Sequence, residues 1–182
     1  MFSIGDYVKR TDLQNKIDLK ILSEQELKFL QESILDIYRD VLSVCEKAGI
    51  RVMMVAGSAI GVVRHKGFIP WDDDIDIFLT RENYKKLIDL LKDDLHYKLY
   101  APETTENYLY GFCKLMDKRT VIYSEYDEEI GTPELGVFID IYPVDLIPEN
   151  KKSNEVFYEN LIFIYIVRTL HQTRCTHMET QN

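Results

Sequence analysis

The chain has 182 residues, 46% of them hydrophobic, and a formal net charge of −9. That length suits one domain with a sizeable core, and the acidic balance argues against a nucleic-acid partner, since docking on a polyanion calls for a basic surface. The three cysteines, Cys45, Cys113 and Cys175, are odd in number and scattered, which fits reduced thiols better than a disulfide framework.

The chain opens Met1-Phe2-Ser3-Ile4-Gly5-Asp6 without a charged segment leading into an apolar one, so secretion is not indicated and a cytoplasmic location is expected. Ser23 and Glu26 form a capping box, and Leu27, Leu30, Ile34, Ile37, Val41 and Val44 recur at helical spacing until Gly49 ends the predicted helix. Cys45, four residues after Val41, reads as a packed small hydrophobe rather than a nucleophile. Val52-Met53-Met54-Val55 reads as a short buried strand, followed by a glycine turn and a small helical turn. A strand runs on from Asp74, and Thr80 then caps a helix through Leu91 with Tyr84, Leu87, Ile88 and Leu91 on its inner face. Residues 97–101, 111–117, 119–124 and 136–142 read as further strands. Together these elements predict an α/β (α+β) domain with a mixed sheet flanked by helices.

Val156 to Leu170 is a helical run rich in Leu, Ile, Phe and Tyr that also holds Glu159, Asn160 and Arg168. At fifteen residues it falls short of the roughly twenty that a membrane crossing needs, so it reads as a buried or interfacial helix that leaves room for peripheral membrane contact. His171, Cys175 and His177 match no standard zinc spacing, and residues 173–182 read as an unstructured polar ending.

Chemistry concentrates in Asp72-Asp73-Asp74-Ile75-Asp76-Ile77, four carboxylates within five positions that run straight into an apolar strand. Like charges this close repel and raise one another's pKa unless a cation neutralises them. A strand's period of two sends Asp74 and Asp76 to one face and Ile75 and Ile77 to the other, so two oxygen ligands could flank one ion. A solvated acidic turn is the plain alternative. A calcium loop fits Asp72, Asp74 and Asp76 at its first, third and fifth positions but fails where Ile77 and Asn83 replace the required glycine and glutamate.

Just upstream, Gly57 permits close approach of backbone to a ligand, and Ser58 is placed to cap a helical turn whose free N–H groups suit a phosphate. No Gly-Lys-Ser/Thr follows, so this is not a Walker loop. Arg64, His65 and Lys66 lie between that turn and the carboxylates, where each is either a solvated surface charge or, jointly with the acids, part of a phosphate and metal site.

The unbroken stretch from Gly57-Ser58-Ala59-Ile60-Gly61 through Arg64-His65-Lys66-Gly67-Phe68-Ile69-Pro70-Trp71 to Asp72-Asp73-Asp74-Ile75-Asp76 resembles the signature of the LicD family, phosphocholine transferases of bacterial surface polysaccharides with fukutin-related protein among their relatives. The resemblance implies a nucleotidyltransferase-like fold, with a Gly-Ser turn before an Asp-x-Asp pair and a third carboxylate on a later strand. Asp140, in Gly136-Val137-Phe138-Ile139-Asp140-Ile141-Tyr142, is the candidate for that third acid. It further implies a catalytic core over residues 1–150 and, in 151–182, an incomplete family C-terminal region.

The activity so implied is metal-assisted transfer of a phospho-alcohol such as phosphocholine from a CDP-alcohol to a hydroxyl of a surface glycan. Asp74, Asp76 and Asp140, with Asp72 as a further ligand, would hold Mg²⁺ or Mn²⁺. Gly57, Ser58, Arg64, His65, Lys66 and Trp71 would bind the donor, and Asp140 would face the acceptor hydroxyl. Two alternatives stay open: a nucleotidyltransferase that moves a nucleoside monophosphate from an NTP, and an inactive binding module.

Overall fold

In the computed structural model, which describes residues 22–106, 108, 110–121 and 136–146, the capping box predicted at Ser23 is formed. The Ser23 side chain accepts from the Glu26 N–H at 3.3 Å, and the Glu26 carboxylate accepts from the Ser23 N–H at 2.9 Å. Helix α1 (Glu24–Ala48) ends at Gly49, whose φ of 68° lies in the left-handed region that glycine adopts without strain.

Strand β1 (Met53–Met54) leads into helix α2 (Ala56–His65), strand β2 (Asp76–Thr80) and helix α3 (Arg81–Leu91). Thr80 caps α3 by accepting from the Asn83 N–H. Strands β3 (Tyr97–Tyr100), β4 (Cys113–Asp117) and β5 (Phe138–Val144) complete one five-stranded sheet in the order β1-β2-β5-β4-β3. β2 and β5 are parallel and the other neighbours antiparallel, which makes the sheet mixed, as expected.

The two faces of this sheet do different things. Ile77 and Leu79 of β2, Ile139 and Ile141 of β5, and Leu115 of β4 share one face, where they meet Ile34, Ile37, Val41 and Cys45 of α1 and the predicted inner face of α3, Tyr84, Leu87, Ile88 and Leu91. Fully burying one such aliphatic side chain contributes about 1.5 to 3 kcal/mol. That stability specifies the register, because a slip of one residue would turn Asp76 or Asp140 into the core. The opposite face carries Asp76, Asp140, Lys114 and a set of aromatic rings. With helices against one face and rings against the other, every residue of β4 is buried, Lys114 and Asp117 included.

The structure corrects two local expectations. β1 has only two residues and sits at the sheet edge with Met53 42% exposed, so it is not the buried strand read from its apolar composition. The strand expected over 119–124 is absent from its described part: Arg119 folds back onto Asp117, its backbone N–H and its guanidinium both donating to that carboxylate, and the Thr120 N–H donates to the Asp117 carbonyl at 3.2 Å. Residues 122–124, the expected helix over 156–170 and the expected boundary near residue 150 lie outside the described residues. Among the described residues no helix is long and apolar enough to cross a membrane. Cys45 and Cys113 are buried free thiols, and burial pushes the Cys45 thiol up to about 11, which suits packing rather than nucleophilic attack.

Candidate functional site

Side chains that are register partners on neighbouring strands point to the same face, so the sheet assembles a polar row. Asp76 on β2 pairs with Asp140 on β5, Asp140 pairs with Lys114 on β4, and Lys114 pairs with Tyr100 on β3. Asp74 lies two residues ahead of Asp76, and the chain is already extended there, since the Asp140 N–H donates to the Ile75 carbonyl at 3.0 Å. The alternation read from the sequence holds: Ile75 and Ile77 are buried, while Asp74 and Asp76 are half-buried.

The first turn of α2 is stitched to the start of β2. The Ser58 hydroxyl, 6% exposed, accepts from the Asp76 N–H at 2.8 Å, and the Val55 N–H donates to the Asp76 carbonyl at 3.2 Å. Ser58 is therefore not the helix cap expected of it. The cap position is Val55, which has no side-chain acceptor to offer, and the serine hydroxyl instead orients an acid-bearing strand. Gly57 does allow close approach, but of a side chain: a Cβ there would stand 2.9 Å from Asp72 Oδ2. That oxygen is buried and lacks a hydrogen-bond partner. Gln31 of α1 holds the loop from the other side, donating to the Asp72 carbonyl at 2.7 Å.

Burial first, and then mutual repulsion, raise the carboxyls of this cluster. Burial, then Asp76, Asp72 and Asp73, push the Asp74 carboxyl up to about 6 against the opposing Lys114. Burial and then Asp140 raise Asp76, opposed by Lys114 and by the Tyr142 hydroxyl, which donates to its carboxylate. Burial and then Asp73 raise Asp72. Asp140 is also raised by burial, but Lys114 opposes this through charge and hydrogen bonding, with Nζ 2.8 Å from Oδ1 and 3.1 Å from Oδ2.

Gly57, Ser58, Asp72, Asp74, Asp76 and Asp140 are thus brought together at one end of α2 and the adjoining strand starts. Arg64, His65 and Lys66 are not. They occupy the exposed far end of α2, ten residues or about 15 Å long, where positive charge favours a helix C-terminus. Lys66 is itself left-handed, with φ 62°, and its ammonium donates to the Val63 carbonyl. Trp71 is 76% exposed.

Lys114 and Tyr142 are the members of the site that the sequence reading passes over. Lys114 shows the signal used for Asp140, a lone charge inside an apolar strand, in Phe112-Cys113-Lys114-Leu115-Met116. Its ammonium also lies over aromatic rings, 3.7 Å from the centroid of Phe138 and 5.2 Å from that of Tyr110.

A hard divalent cation fits the donor set in kind: oxygen ligands, mutual repulsion that a cation would relieve, and an orphaned carboxylate oxygen at Asp72. Among the described residues no three acidic, histidine or cysteine side chains already converge on one point, and Asp140 is engaged by Lys114.

Residues 49–174 match the family model described as "LicD/FKTN/FKRP, nucleotidyltransferase domain". The chain is 36% identical over 135 residues to the lipopolysaccharide cholinephosphotransferase LicD of Haemophilus influenzae, an alignment that covers 72% of this chain and 47% of that protein. It is 42% identical over 45 residues to the human ribitol 5-phosphate transferase FKRP, which covers 25% of this chain and 9% of that protein. An uncharacterized protein of Rickettsia typhi is 26% identical over 128 residues, 65% of this chain and 36% of its own length. The chain spans half or less of the length of each of these curated relatives. With the match running through the glycine-serine turn, the acid cluster and the β5 acid, the chain belongs to the LicD/FKTN/FKRP nucleotidyltransferase-domain family.

Proposed function

We propose that this chain carries the catalytic core of a metal-dependent transferase that moves a phospho-alcohol, such as phosphocholine, from a CDP-alcohol to a hydroxyl of a surface glycan. The observation that carries this reading is the parallel pairing of Asp76 with Asp140 beside Asp74, which gathers raised carboxylates where strand starts meet a helix N-terminus. Both relatives with a named activity transfer an alcohol phosphate, one of choline and one of ribitol.

Asp74 and Asp76, with Asp72 close by, would hold Mg²⁺ or Mn²⁺. When bound, that ion would neutralise charge on the donor's pyrophosphate. Asp140, paired with Lys114, stands next to the pair and would accept the proton of an acceptor hydroxyl on a carboxylate oxygen. The Ser58 hydroxyl fixes the strand start that carries Asp76, and the Tyr142 hydroxyl steadies its carboxylate. The exposed Arg64, His65 and Lys66 would meet the donor from the far end of α2 rather than share one cradle with Gly57.

The test is a panel of CDP-alcohols, including CDP-choline and CDP-ribitol, incubated with the chain and Mg²⁺ and read by release of CMP. A second reading, nucleotidyl transfer from an NTP, draws on the name of the matched domain and predicts pyrophosphate in place of CMP. Donor binding without release of either product would select a binding module.

A further inference from the structure

A carboxylate already neutralised by a fixed cation attracts a metal ion less than one that is not, and Asp140 is so neutralised. Both of its oxygens are taken by one ammonium, Lys114 Nζ, at 2.8 and 3.1 Å. Neither partner can rotate away into water, since Lys114 is 7% exposed and Asp140 9%. The ammonium also lies over the rings of Phe138, Tyr110 and Phe112, with centroids 3.7, 5.2 and 5.4 Å away, an arrangement that attracts a cation to the ring faces. Backbone register fixes the pair as well, because Lys114 and Asp140 are direct partners across the antiparallel β4–β5 ladder.

Asp74 and Asp76 differ on each of these counts. They are half-buried, among the described residues no lysine or arginine is bonded to either, and each repels acidic neighbours. An added divalent cation would find carboxylates there that Lys114 acts on only through space and does not bond. At Asp140 it would instead have to share a carboxylate with a fixed ammonium a few ångströms away and be repelled by it.

Resting on the metal-dependent reading above, we infer that Lys114 is a positioning residue and the built-in counter-cation of Asp140. It holds that carboxylate aimed along the row toward Asp76 and outside the metal shell. The site therefore takes a single divalent cation, on Asp74 and Asp76, and the β5 acid acts beside it rather than on it.

The experiment is calorimetric titration of Mn²⁺ into the 182-residue chain. Deleting the pair together, Lys114→Met with Asp140→Asn, leaves the net charge of the site unchanged and replaces a buried ion pair by neutral groups of similar volume, a change that folded proteins accept. The expected result is one Mn²⁺ per wild-type chain and an affinity in the double variant within threefold of wild type. Lys114→Met alone should bind Mn²⁺ tenfold or more tightly, because it frees Asp140 as an added ligand; should that variant not fold, the double variant decides alone. Two ions per wild-type chain, or a tenfold or greater loss in the double variant, would overturn the inference and leave the metal-dependent reading standing. If wild type binds no Mn²⁺, or Asp76→Asn binds it as wild type does, the metal-dependent reading falls and takes this inference with it.

Discussion

Lys114 and Asp140 face each other across the β4–β5 ladder as a buried ion pair, with Nζ 2.8 Å from Oδ1 and a second bond of 3.1 Å to Oδ2. Two charges with almost no exposure are tolerable only as a pair, because each alone would carry the full cost of leaving water. Lys114→Met should accordingly destabilise the chain by about 3 to 5 kcal/mol, the range for stranding one member of a buried pair. The double variant with Asp140→Asn should recover most of that loss. Urea unfolding of the two variants against wild type measures it, and equal losses in both would mean that the pair is not the stabilising unit.

Asp76→Asn should abolish turnover while leaving the stability of the metal-free chain unchanged or raised. The substitution is nearly isosteric, an amide oxygen can still accept from the Tyr142 hydroxyl, and repulsion from Asp140 and Asp72 is relieved. Initial rates and thermal melts in a chelating buffer give the two readouts. Wild-type turnover in the variant would remove Asp76 from the mechanism.

The metal-free chain should lose stability as pH rises between about 4 and 6. Asp74 is pushed up to about 6, whereas an unfolded aspartate titrates near 4. In that window the folded chain holds a proton that the unfolded chain has released, so raising the pH favours unfolding. Solvent screening at a half-buried group limits the effect to on the order of 1 kcal/mol. Asp74→Asn should flatten the slope, which unfolding midpoints taken across this pH range would reveal.

Gly61→Ala and Gly57→Ala should differ in kind. A Cβ on Gly61 would lie 2.5 Å from the Gly67 carbonyl oxygen and 3.0 Å from the Ile69 nitrogen, both backbone atoms of the loop that carries the acids. That overpacking should cost about 1 to 3 kcal/mol and displace the loop. On Gly57 the Cβ meets Asp72 Oδ2, the movable end of a side chain, so stability should change little. Chemical denaturation compares the two, and a larger loss in Gly57→Ala would contradict the packing described.

Much of this molecule was legible in the sequence because its signals are local. The capping box at Ser23 and Glu26, the glycine end at Gly49, the Thr80 cap and the inner face of α3 depend on residues a few positions apart, and all are formed. The alternation from Ile75 to Ile77 is likewise a property of one strand, and the run from Gly57 to Asp76 carried the family likeness. Tertiary structure decided what depends on distant partners. Ser58 became the acceptor for the Asp76 N–H only because α2 packs beside β2. The helix intervening in Gly57–Lys66 puts the basic triplet at the far end from the glycine, although their closeness in sequence suggests that both surround one phosphate. Asp140 is separated from Asp76 by 64 positions, the difference of their numbers, and stands next to it only through the parallel β2–β5 pairing, which no periodicity encodes. Lys114 looked like one charge among many until the β4–β5 register set it against Asp140. Burial then made that pairing obligatory, since desolvation acts on a charge only once the fold has removed its water.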